Sequence, residues 1–137
     1  MKLTKHNKEY CIALLMQGAS LKELLGILKS ICESLNLKNF NPQLRHSRHF
    51  QFTFFGLMVK SRCLLEMMLF RTDFLRKEFD DFKEIHRALS RNYDLIDSAY
   101  TLVRKKKMVE GKNKIIECAE EYNKTFEKLK ALLVEMV

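Results

Sequence analysis

Between Leu75 and Val103 the bulky side chains recur in alternating steps of four and three, through Leu75, Phe79, Phe82, His86, Leu89, Tyr93, Ile96, Tyr100 and Val103. With 3.6 residues per turn, that spacing lines them up on one side of a helix. Ile115, Ala119, Tyr122, Phe126, Leu129, Leu133 and Met136 repeat the device. Between the two stripes, Arg104 to Lys107 put cations at a carbonyl end, and Gly111 can supply the left-handed residue that closes a helix. A turn over 109–113 between two such stripes predicts a C-terminal antiparallel helical hairpin whose last helix spans 113–136.

Upstream, Ser20 and Glu23 spell a capping box, in which the hydroxyl accepts from a backbone N–H and the carboxylate reaches back to the cap residue. Leu21, Leu24, Leu28, Ile31 and Leu35 follow at helical steps, which predicts a helix over 20–36. Gly18 separates it from a shorter helix over 5–17 carrying Tyr10, Cys11, Leu14 and Leu15, so 5–36 reads as a helical pair. Asn41-Pro42 begins the long central segment 42–108, since asparagine caps well and proline is tolerated in the first turn.

Phe50, Phe52 and Phe54 alternate with Gln51 and Thr53 as a strand would, but a lone strand has no partner, and the reading is helix. Residues 57–108 as one helix would extend ~75 Å, too long for a domain of this size, so the helix breaks. Thr72-Asp73 and Ser90-Arg91-Asn92 are the cap-like candidates, the second favoured. An unbroken stripe would need a second copy to cover it, making a homo-oligomer.

Composition agrees with helices: four glycines and one proline in 137 residues leave few turns for a β fold. The expected architecture is a single all-α domain over 1–137, a bundle of four to six helices. No segment reaches the ~18 uninterrupted apolar residues of a membrane span, because Lys60, Arg62 and Glu66 interrupt Phe50 to Phe70. The apolar stretch after the basic N-terminus is too short for a signal peptide. Cys11, Cys32, Cys63 and Cys118 form no Cys-x-x-Cys pair, and reduced thiols in a cytoplasmic protein are the plain expectation.

Charge sharpens the picture. The net +8 is uneven: residues 1–65 hold ten Lys/Arg against three Asp/Glu and 101–114 hold six against one, with a mildly acidic stretch between. Two basic segments that converge on folding would suit an acidic protein surface, nucleic acid or anionic lipid. The candidate residues are Arg45, His46, Arg48 and His49 in the first, and Arg104, Lys105, Lys106, Lys107, Lys112 and Lys114 in the second. Complementing a helix C-terminus takes only a few cations, and six within eleven residues exceed that need.

Gln43, Arg45, Arg48 and His49 could serve as base readers of a helix-turn-helix, although the connection before them is longer than the usual tight turn. A second echo lies at 3–25, "LTKHNKEYCIALLMQGASLKELL", which resembles the first two helices of the LuxR-type DNA-binding domain. Lys29 stands where that family has a glycine and the recognition helix does not follow, so the family's function is not carried over. Arg45 to His49 is also one residue short of the Arg-to-His spacing of the helical HEPN ribonucleases, and "RNYDLIDSAY" offers an aspartate where their histidine falls.

His46 and His49 have no acidic or thiol neighbour, and interleaved arginines repel a cation, so no metal site and no cofactor is expected. His86 falls on a core stripe. The expected function is a non-enzymatic helical interaction or assembly module that binds a protein partner through a basic surface. Nucleic-acid binding is the alternative, and a small helical nuclease using His49 as base comes third.

Overall fold

A computed structural model describes residues 3–34, 48–70, 72–78, 80–105 and 107–135. The protein is an all-α bundle. Among the described residues there are five helices and no strand: α1 (Lys5–Ser34), α2 (Arg48–Leu69), α3 (Asp73–Glu78), α4 (Asp80–Arg104) and α5 (Met108–Val134). The four long helices close a ring in which α1 packs on α2 and α5, and α4 packs on α2 and α5, while short α3 rests on α4.

Cross-helix contacts fix the directions. The Tyr10 hydroxyl donates to Met67 O at 2.6 Å and Gln17 Nε2 donates to Lys60 O at 3.3 Å, so α1 ascends as α2 descends. Phe54 meets Tyr100 at 5.5 Å between ring centroids, whereas Leu65 and Leu69 share a groove with His86 and Ser90. Between α4 and α5, Val103 lies against Gly111, the Cys118 thiol donates to Asn92 O at 3.5 Å, and Ile85 shares a groove with Leu132. Neighbours in the ring therefore run oppositely throughout.

The core is built in sevens. Leu14, Leu21 and Leu28 on α1, Leu57 and Leu64 on α2, Phe82, Leu89, Ile96 and Val103 on α4, and Ile115, Tyr122 and Leu129 on α5 are all essentially inaccessible. Seven residues are close to two helical turns, so each set returns to one seam facing the ring's centre. Each such side chain contributes ~1.5–3 kcal/mol by leaving water.

Glycines account for two departures from the sequence reading. α1 is one helix of 30 residues, not a pair broken at Gly18. A Cβ at Gly18 would stand 2.5 Å from Phe126, and Gly18 O accepts a 2.5 Å hydrogen bond from the Tyr122 hydroxyl. This glycine lets α5 approach; it does not end a helix, and Ser20 lies inside α1 without a cap to make. The turn required by the LuxR-like echo is likewise absent from 5–34. Gly111 behaves similarly. α5 already begins at Met108, and a Cβ on Gly111 would meet Val103 at 2.8 Å, so the residue serves a helix contact inside α5 and not a left-handed cap before 113.

The central break lies at the other candidate, near Thr72 and not at Ser90–Asn92. Buried Thr72 donates its hydroxyl to Met68 O at 2.5 Å, closing α2, and Leu75 N donates to Thr72 O at 2.9 Å as the chain enters α3. α4 continues through Ser90 to Asn92 because Leu89, Asn92 and Ile96 all face the core, and a break there would split that seam. The expected start at Asn41-Pro42 lies outside the described residues, as do Leu35, Phe79 and Met136.

Among the described residues one helix, Lys5–Glu33, is long and apolar enough to cross a membrane, with a mean hydropathy of 1.5. Lys22 and Glu23 interrupt its apolar run, so it is not the ~18 uninterrupted apolar residues expected of a span. Its inward side, Cys11, Leu14, Leu21, Leu25, Leu28 and Cys32, is core of the bundle.

Candidate functional site

The turn from α4 into α5 is held by its own backbone. Lys105 N donates to Thr101 O and Gly111 N to Lys107 O, each at 3.0 Å, while Lys107 N donates to Leu102 O at 2.9 Å. No side chain caps α5 at Lys107. Of the cations around the turn, Arg104, Lys105 and Lys107 are exposed while Lys112 and Lys114 are half-buried. Arg104 holds its guanidinium 5.6 Å from the Tyr100 ring centre, and Lys114 reaches Glu117 at 3.9 Å, a solvent-exposed pair of little energetic weight.

The helix dipole separates these cations into two kinds. Arg104 and Lys105 sit where the carbonyls of α4 end, and there positive charge is favourable. Lys107 stands at the N-terminal end of α5, where the dipole is already positive and Glu110 offsets it in the first turn, whereas Lys112 and Lys114 lie in the second turn. At Lys107 the misplaced charge costs ~0.3–1 kcal/mol at low ionic strength. Helix stability does not explain it.

The ring topology brings the other basic segment to this end. α2 begins at Arg48, six residues before Phe54, and Phe54 packs on Tyr100 just below Arg104. Arg48 and His49 therefore lie, by backbone placement, beside the α4–α5 turn. The end of α1 is here as well, since the Lys112 charge acts on the Cys32 thiol. Arg45, His46 and Lys106 lie outside the described residues.

Reactive chemistry is sparse. Burial pushes the Cys118 thiol up to about 12, with Glu117 and Glu121 adding to the rise. Burial likewise pushes Cys32 up to about 11, partly opposed by Lys112, and raises Cys11 and the Tyr122 hydroxyl. These groups are protonated near neutrality and are poor nucleophiles. Among the described residues no three His, Cys, Asp or Glu side chains gather as metal ligands. His86 is half-buried in the α2–α4 groove beside Arg62, Glu66 and Tyr93, off the centre of the core seam.

Sequence reasoning missed the outward face of α2. Phe52 is 71% exposed and Phe55 67%, while Thr53 and Ser61 point inward. The available signal was an apolar residue on every side of this helix, more than one seam can use. Comparison with protein-family models, with curated proteins and with solved structures returns no match for this chain.

Proposed function

We propose that the protein is a small non-enzymatic intracellular module that docks an acidic protein surface onto the basic end of its bundle. The observation that carries this reading is the placement of Lys107 at a helix N-terminus that disfavours it, with Lys112 and Lys114 following in the next turn. A cation retained against a local electrostatic cost, in a cluster with Arg104, Lys105, Lys112, Lys114 and the start of α2, is suited to an anionic partner. The intracellular assignment is supported by four cysteines without disulfide bonds.

Affinity purification from native cells, with and without nuclease, tests the reading. Partners should survive nuclease, dissociate as salt rises, and be lost from a Lys105→Glu, Lys107→Glu variant. Partners released by nuclease, with a gel shift that falls steeply with salt, would replace this reading with the nucleic-acid alternative.

A further inference from the structure

The fold that gathers basic segments at one end of the bundle also lays acidic residues of α4 and α5 side by side. A groove follows the outer seam of these two helices, from Asp81 and Glu135 at one end to Ser98 and Glu117 at the other, and Arg91 and Thr125 line both its halves. From Asp81 to Ser98 it is ~25 Å long at 1.5 Å per residue. Asp81, Glu84 and Glu135 border the larger half, and Asp94, Glu117 and Glu121 the smaller. Arg91 and Lys128 are the cations along it. Glu84 is joined to Arg87 at 2.6 Å and Glu117 to Lys114 at 3.9 Å, while among the described residues Asp94 and Glu121 have no ion-pair partner. On a chain of net charge +8, this seam is locally negative.

A second observation points to a ligand. Asn92 lines the smaller half of the groove and is 3% exposed, and its Nδ2 lies buried without a hydrogen-bond partner. Buried amide donors are almost always paired, so this one is missing an acceptor. Thr125, the other buried polar side chain on the groove, needs none: its hydroxyl donates to Glu121 O at 3.0 Å. The smaller half therefore combines one unused donor with carboxylates that call for positive charge.

We infer that the α4–α5 groove binds an extended basic peptide segment of a partner protein. A backbone carbonyl of the peptide accepts from Asn92 Nδ2, and its Lys or Arg side chains reach Asp94 and Glu121. At ~3.3 Å per residue the groove holds about seven or eight residues. Other cations meet only half of the requirement. A metal ion would face the positive end of the Asn92 N–H, and among the described residues no three ligands gather for one. A protonated polyamine has donors alone and leaves Asn92 unpaired. The phosphates of nucleic acid or anionic lipid meet like charge at the rim. The α4–α5 turn of a second copy is cationic, but its Thr101, Leu102 and Lys107 carbonyls already accept from backbone N–H groups. This inference does not depend on what the basic end of the bundle binds.

Random octapeptides displayed on phage and selected against the immobilised full chain should converge on sequences bearing lysine or arginine. As a fluorescent synthetic peptide, the selected sequence should bind less tightly as salt rises. Asp94→Lys with Glu121→Lys should lower its affinity at least about tenfold. Both positions are exposed, and circular dichroism establishes that the double variant keeps its helices. Asn92→Leu should lower affinity about fivefold or more, while the urea midpoint holds or rises because an unpaired buried donor is gone. In nitrogen-15 NMR the Asn92 side-chain amide should shift on adding the peptide and stay in place on adding spermine. Selection that yields no basic sequences overturns the inference, and so does a basic peptide whose binding ignores the Asp94 and Glu121 substitutions. An Asn92→Leu variant with a lowered midpoint and unchanged affinity overturns it by making Asn92 purely structural. Spermine that displaces the peptide and shifts Asn92, or self-association of the chain that the Asp94 and Glu121 substitutions abolish, would assign the groove to a different occupant.

Discussion

α5 and α2 are both long helices in the ring, and they spend their apolar residues differently. On α5, Ile115, Cys118, Ala119, Tyr122, Phe126, Leu129 and Leu133 are buried, and along its length the outward positions include Glu117, Glu120, Lys124, Glu127 and Lys128, with exposed Val109 and Val134 only near its two ends. On α2 two hydroxyl residues, Thr53 and Ser61, face inward while two phenylalanines face water. A single stripe assigns a helix its place within the chain's own fold. A surplus outside that stripe is surface the fold does not use.

The largest test of this contrast is cavity formation. Leu129→Ala on α5 should cost ~2–5 kcal/mol in urea unfolding, whereas Val59→Ala on α2 should stay within ~0.5 kcal/mol for the monomer. Comparable losses at both sites would remove the distinction. The glycines sharpen it next: Gly18→Ala drives a methyl group into Phe126 at the α5 seam and should cost ~1–3 kcal/mol. Gly56→Ala on α2 meets Leu24 at an ordinary 3.8 Å and should stabilise by ~0.5–1 kcal/mol through helix propensity.

A pH titration isolates the α1 and α5 thiols. Folding raises Cys32 to about 11 and Cys118 to about 12, above their ordinary value of 9.0. Above pH 9 the unfolded chain therefore loses these protons first and binds fewer than the native state, so stability falls as pH rises. Their contribution is complete below pH 9 and disappears across 9 to 12, at no more than ~1.4 kcal/mol per pH unit for each thiol. Urea midpoints under reducing conditions should follow that decline, and Cys118→Ala should flatten it. The smallest effect belongs to α2: Phe52→Ser should move monomer stability by no more than ~0.5 kcal/mol in either direction.

The two regions were also unequally legible in sequence. The seams of α4 and α5 could be read from spacing, because alternate steps of three and four have one simple helical solution. Gly18 and Gly111 were misread for a physical reason: a missing side chain permits a sharp turn or a close helix contact, and composition cannot say which. The break at Thr72 depends on a hydroxyl reaching Met68 O, and Asn92, which looks equally cap-like, is 3% exposed within the core seam. At the candidate site, the charge excess from Arg104 to Lys114 was visible at once. Its juxtaposition with the start of α2 required the ring topology, and the unfavourable placement of Lys107 required the true start of α5.

The hydrogen bond from Tyr122 to Gly18 spans 104 positions along the chain and joins the first long helix to the last. Every other seam of the ring links helices that follow one another more closely, so this joint bears the largest loop-closure entropy and should form late in folding. During synthesis at ~5–20 residues per second, the Leu14, Leu21 and Leu28 side of α1 must wait seconds for α5 to leave the ribosome. Until then the nascent chain is an open trough, and that interval is when it is most exposed to chaperones and to aggregation.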